Sequence, residues 1–140
     1  MNKGQMSITD LKNKEIAETM LTALKTQNWE LFRSIIDTDI SWTLPGVSII
    51  SGEIKGADAI IHRAQQIVGH GVSMELKNIL YGQCNFALSI HNQAKKENLI
   101  LDEYLATVCT LQNGKIVKIE TFVSDVDGVN AFFTGSGGYQ

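Results

Sequence analysis

The stretch from Leu99 to Leu111 constrains the fold more than any other part of the chain. It reads as one unbroken strand, which at the usual rise would span about 40 Å, longer than strands normally run in small domains. A strand of that reach must bend, and a bent sheet encloses a volume on its concave side. Asn113-Gly114 follows directly. Both residues tolerate the positive φ of a two-residue type I′ turn, so the chain should return as a hairpin into a strand over Ile116–Val123. Upstream, Phe86–His91 alternates apolar and polar residues, and Ser73–Leu80 reads as a further strand that Tyr81–Asn85 breaks. Lys95–Asn98 is a polar turn between strands.

The N-terminal half has a different period. Thr9 or Asp10 can cap a first helix, in which Ile16, Ala17, Met20, Leu21 and Leu24 form one apolar stripe. Asn28 can cap a second helix whose Trp29, Phe32, Ile35 and Ile36 share a face. Asp39–Leu44 then alternates like a half-buried strand and stops at Pro45-Gly46. Residues 47–55 read as irregular, with a turn at Ser51-Gly52. A third helix is expected over Ala57–Val68, burying Ile60, Ala64, Ile67 and Val68, with Gly69 as a left-handed C-terminal cap. A short helix over Val126–Phe133 closes the chain. One domain is expected over residues 9–133, between a flexible leader (1–8) and a flexible tail (134–140).

Composition narrows the function classes. The chain has 140 residues, 44% of them hydrophobic and 19% charged, which is globular rather than disordered. Its formal net charge of −3 argues against a nucleic-acid partner, because phosphate binding needs clustered cations and Lys95-Lys96 is followed at once by Glu97. No apolar run has the length of a membrane span, and the first residues lack the apolar centre of a signal peptide. Cys84 and Cys109 form no metal-ligand or C-x-x-C pattern, and reduced thiols in a cytoplasmic protein are the expectation. No pair of histidines has ligand spacing, so neither metal nor other cofactor is expected.

Trp42-Thr43-Leu44-Pro45-Gly46, then Ser51-Gly52, then Gly56-Ala57-Asp58-Ala59-Ile60, resembles the W-x-x-P-G…S-G…G-x-x-A-I stretch of SnoaL-like proteins. Asn113-Gly114-Lys115-Ile116, with Phe122 beyond it, is similar to their G-K-I hairpin. The resemblance runs from about Thr9 to Asp125. It implies the α+β fold of the nuclear transport factor 2-like superfamily, also called cystatin-like. In that fold three N-terminal helices pack on a strongly curved, cone-shaped antiparallel sheet around a pocket. The superfamily includes isomerases, cyclases, hydrolases, dehydratases and binding modules, so fold does not carry chemistry. Where ketosteroid isomerases place a base, a phenol and a protonated acid, this chain has Leu44, Met20 and Thr107. Where limonene-epoxide-hydrolase-like enzymes place an Arg and an Asp, it has Leu105 and Thr107.

On that fold the pocket should be lined by Met20, Trp42, Leu44, Ile60 and Leu88, with Ile90 and Val123 nearby. Asn92, Thr107 and Thr121 would be its polar points, and the ligand a small hydrophobic molecule. Strand parity places Glu103 with Leu105, Thr107, Cys109 and Leu111, toward the pocket unless a bulge intervenes. Asp125 is the one catalytic candidate, weighed against capping the final helix. His62 and His70 read as solvated. His91, opposite in parity to Phe86, Leu88 and Ile90, belongs on the convex face, where with Ala106, Val108 and Phe122 it would form a homodimer contact. An association module without a ligand is the alternative function.

Overall fold

A computed structural model describes residues 8–134. The expected leader and tail lie outside the described residues, except that Ile8 already opens the first helix and Thr134 ends the last.

Helix α1 (Ile8–Thr26) buries Ile16, Ala17, Met20 and Leu21 along the expected stripe, together with Ala23. Asn28 caps α2 (Trp29–Arg33) by accepting a hydrogen bond from Leu31 N at 3.1 Å. This helix is a single short turn and a half. Ile35 lies in the turn after it and Ile36 already starts strand β1 (Ile36–Leu44), so the expected helical face ends at Phe32. Both isoleucines are buried all the same, because the chain changes period here without leaving the core.

The segment expected to be irregular contains a short strand, β2 (Gly52–Lys55), paired antiparallel with β1 through Trp42↔Ile54 and Leu44↔Gly52. It has one apolar residue, and its order comes from backbone pairing. Helix α3 (Ala57–Gly69) follows. Its last turn differs from expectation: Gly69 is still helical, His70 caps with φ −85°, and the positive φ of +80° falls on Gly71.

Strands β3 (Ser73–Tyr81), β4 (Asn85–Lys96), β5 (Leu99–Gln112) and β6 (Lys115–Val123) form the meander, and α4 (Val126–Thr134) ends the described chain. Asn113 and Gly114 have φ of 52° and 75°, as the turn between β5 and β6 requires. The polar turn before β5 shrinks to Glu97-Asn98, since β4 runs on through Lys96. Register shifts at Leu76/Asn78, Thr110/Leu111 and Ile36/Ser41 mark the bulges at which the long ribbons bend.

The six strands are ordered β2-β1-β6-β5-β4-β3. All pairs are antiparallel except one: β1 runs parallel to β6, with Trp42↔Ile119 and Thr43↔Glu120 in register. The sheet is otherwise antiparallel, as expected. The hairpins alternate direction from β3 to β6, while α3 carries the chain from β2 at one edge to β3 at the other. The β1–β6 pairing is therefore a crossover product that no local turn signal encodes.

The apolar interior falls into two clusters. The larger joins α1, α2 and α3 to the sheet through residues such as Phe32, Ile60, Phe86, Leu88 and Ile119. The smaller brings Val129, Phe132 and Phe133 of α4 onto Leu44, Ile50 and Leu101. Trp42 packs against both. No helix among the described residues is long and apolar enough to cross a membrane.

Candidate functional site

Between the two clusters lies a cavity of about 290 Å³, at the lower end of the range of small-molecule sites. Met20, Phe32, Ala64 and Leu88 of the larger cluster face it from one side, and Leu44, Ile50, Leu101 and Phe133 of the smaller from the other. Lys25 and Gln27, two exposed residues at the end of α1, also line it.

Strand period explains which side chains arrive there. Leu101, Glu103, Leu105 and Thr107 of β5 point inward because no register shift interrupts their pairing with β4, and Leu88, Ile90 and Asn92 of β4 oppose them. Thr121 and Val123 come from β6, and Trp42 and Leu44 from β1. The cavity thus gathers Met20, Trp42, Leu44, Leu88, Ile90, Asn92, Thr107, Thr121 and Val123. Ile60 is a correction: it is fully buried in the larger cluster and does not line the cavity, because the α3 face that reaches it is offset toward Ala64, Ile67 and Val68.

The polar groups are few. Trp42 Nε1 donates to Thr121 Oγ1 at 2.9 Å, and Thr121 Oγ1 lies 3.1 Å from Thr107 Oγ1. This chain fixes the indole and satisfies its N–H inside an apolar wall. Behind Trp42, the buried Arg63 donates from Nη1 to the Trp42 carbonyl (3.3 Å) and from Nη2 to the Ser51 carbonyl (3.1 Å). Its guanidinium carbon lies 5.2 Å from the centroid of the Trp42 ring. Burial lowers the Arg63 pKa from its ordinary value. Sequence reasoning passed over Arg63, since a charged residue on a helix ordinarily marks the solvated face.

Glu103 is 3% exposed. Its Oε2 accepts from Ser124 Oγ (2.9 Å) and from the Asp125 backbone N–H (2.8 Å), at the start of α4. Asp125 itself is exposed and lies outside the cavity; its Oδ1 accepts from Gly128 N at 3.0 Å, which is the capping geometry. The catalytic candidacy of Asp125 is corrected accordingly. Burial pushes the Cys109 thiol well above its ordinary pKa, and its Sγ donates to Met20 Sδ at 3.7 Å.

The histidines lie outside the cavity. His62 is exposed, as expected. His70, expected to be solvated, is only partly exposed: its Nδ1 lies 2.7 Å from the Gln66 carbonyl and its ring packs edge-on against Phe133, with centroids 5.1 Å apart. On the convex face His91 stacks on Tyr104 (4.1 Å between centroids, 6° between planes), with Nε2 2.5 Å from Asp102 and Nδ1 3.9 Å from Glu75. No group of three or more His, Cys, Asp or Glu residues among the described residues could hold a metal ion.

No family model matches the chain, and no curated protein does. Solved structures do. Bal32a from a soil-derived mobile gene cassette superposes with a TM-score of 0.81 at 22% identity, covering 87% of this chain and 96% of that one. A nuclear transport factor 2-like protein from Burkholderia xenovorans LB400 gives a TM-score of 0.74 at 15% identity, covering 89% and 97%. A SnoaL-like, polyketide cyclase-type protein from Jannaschia sp. CCS1 gives 0.73 at 13% identity, covering 93% and 96%. The chain has the nuclear transport factor 2-like fold that these proteins share.

Proposed function

We propose that the chain binds a small hydrophobic molecule in the cavity between its two apolar clusters. The observation that carries this reading is an aliphatic and aromatic wall around about 290 Å³, interrupted by only a few polar side chains. Such a site gains affinity mainly from area removed from water, with polar groups setting orientation. If the bound molecule is turned over, the reaction proposed is an isomerisation, cyclisation or dehydration. It would proceed without the ketosteroid isomerase residues, whose places are taken by Leu44, Met20 and Thr107. The free thiols of Cys84 and Cys109 suit a reducing compartment, and we place the protein in the cytoplasm. With Trp29 replaced by Phe, Trp42 becomes the sole tryptophan. Its emission and the melting temperature should shift on binding alicyclic or planar apolar compounds. If a broad panel of them moves neither, the pocket reading fails.

The competing reading is an association module, and exposed rings on the convex face favour an assembly role there. Phe122 is 57% exposed and Tyr104 55%. A homodimer would bury them with His91, Ala106 and Val108. Light scattering on the unmutated chain should then give twice the protomer mass, and Phe122→Glu should return it to one by placing a charge in the contact. A monomer at high micromolar concentration refutes the dimer and leaves the pocket proposal untouched.

A further inference from the structure

Asn92 and Glu103 face each other across β4 and β5, directly opposed in the strand register, and both line the cavity. Neither is satisfied on its cavity side. Both hydrogen bonds to Glu103 end on Oε2, so Oε1 has no hydrogen-bond partner among the described residues. Asn92 Oδ1 is buried with no hydrogen-bond partner among the described residues. Native interiors rarely leave such acceptors empty, and one that is empty in a ligand cavity marks what the ligand must bring.

The ligand must bring donors, and the charge says which kind. Among the described residues Glu103 makes no ion pair with a Lys, Arg or His. Its carboxylate accepts a backbone N–H at the start of α4, where the helix dipole favours negative charge. A buried acidic side chain that faces an apolar cavity with no cation beside it is a place where a cationic donor gains a charge-assisted hydrogen bond. Lys25, the one cationic side chain among the described residues that line the cavity, is exposed. A neutral hydroxyl would satisfy the geometry but bring only a neutral hydrogen bond, weaker than one from a cation.

We propose that the cavity is a site for an apolar amine, whose ammonium group docks between Glu103 Oε1 and the Asn92 side-chain oxygen while its hydrocarbon body fills the space toward Trp42, Leu44 and Leu88. This rests on the pocket reading above and specifies the ligand class for it. In the remaining polar chain, Trp42–Thr121–Thr107, both oxygens have a partner, and the one hydroxyl hydrogen left over is a neutral donor that calls for no cation.

A matched set of 1-adamantylamine, 1-adamantanol and 1-adamantanecarboxylate, titrated against the full chain carrying Trp29→Phe at neutral pH, tests this. The amine should bind about tenfold or more tighter than the alcohol, and the carboxylate weakest. Glu103→Gln keeps an oxygen for Ser124 and Asp125 and should bring the ratio of amine to alcohol affinity down to about one; an unchanged ratio overturns the proposal. Equal affinities for amine and alcohol in the parent chain overturn the amine assignment while leaving the pocket standing. Failure of all three to bind overturns both. Should Glu103→Gln not fold, Asn92→Asp serves instead: a second carboxylate should widen the ratio of amine to alcohol affinity, and an unchanged ratio overturns the proposal.

Discussion

Arg63 holds Trp42 at two points, donating to its carbonyl at 3.3 Å while the guanidinium lies 5.2 Å from the centre of its ring. The same side chain also reaches the Ser51 carbonyl, so it pins the β1 end and the Pro45–Ser51 loop to α3. Replacing Arg63 by Met should cost about 2 kcal/mol of stability through the lost charge-assisted bonds. Lys should rescue little, having no planar fork to reach two carbonyls and stack on the indole together. Urea unfolding of the two variants checks both statements, and equal stability of Lys and Arg forms would contradict the second.

Thr121 is the acceptor for the Trp42 indole N–H. Thr121→Val keeps the shape and strands that donor in an apolar wall, at a cost of about 1–2 kcal/mol. Trp42 emission should change along with stability, which a mere packing defect elsewhere would not produce. Thr121→Ser should retain most of the wild-type signal.

Leu44, which stands where the sequence resemblance implies the ketosteroid isomerase base, is 5% exposed on the cavity wall. A hydrocarbon cannot take a proton, and a positioned base contributes orders of magnitude to such a reaction. Turnover of a β,γ-unsaturated ketosteroid should therefore stay at solution background. Leu44→Asp should weaken binding of uncharged apolar compounds by placing a second buried carboxylate in the site, while leaving the state of association unchanged.

The two cysteines should behave oppositely. Cys84 is exposed and Cys109 buried, with the Cys109 thiol kept protonated by its surroundings. A thiol reagent should modify Cys84 rapidly in the folded protein and Cys109 only on unfolding. Because the folded pKa of Cys109 lies above its unfolded value, its contribution to stability is fully kept below the unfolded value. It is lost as pH rises from there toward the folded one. A Cys109→Ala variant should show a flatter alkaline decline in melting temperature than the parent chain.

Gly46 has φ +103°, and an added Cβ would run into the Asn130 side chain. Asn130 Oδ1 in turn accepts from Val47 N at 2.8 Å, tying the loop after β1 to α4. Gly46→Ala should cost about 1–3 kcal/mol from strain and displaced contact, measurable by thermal unfolding; an unchanged melting temperature would mean that the loop yields freely.

Much of this arrangement is readable from residue order, and what is not has a common cause. The inward parity of Glu103, Leu105 and Thr107 follows from a strand period that no register shift interrupts along β4. Asn113-Gly114 announces its turn by composition alone. By contrast β2 has one apolar residue and owes its order to pairing with β1. Ile36 continues an apolar spacing from α2 although the backbone has already become extended. Arg63 looks solvated until the loop carbonyls of Trp42 and Ser51 are folded over it. Asn92 and Glu103 are separated by the hairpin at Glu97-Asn98, and only the register makes them opposite. Periodicity reports which face a side chain takes; it does not report which partner waits there.

The parallel pairing of β1 with β6 joins the first strand of the sheet to the last. A ribosome delivers these segments in order, so β1 is synthesised long before Ile119 exists to lie beside Trp42. Until β6 emerges, one edge of β1 has no neighbour and the wall that carries Thr121 and Val123 is missing, so the pocket cannot form stepwise from the N-terminus. Contacts of such wide sequence separation slow folding and leave strand edges open in the meantime. A chain halted before β6 would hold α1 to α3 and the hairpins from β3 to β5 but lack both the Thr121–Val123 wall and the Val129 and Phe133 face of α4, so the last elements made are the ones that turn an open trough into a cavity.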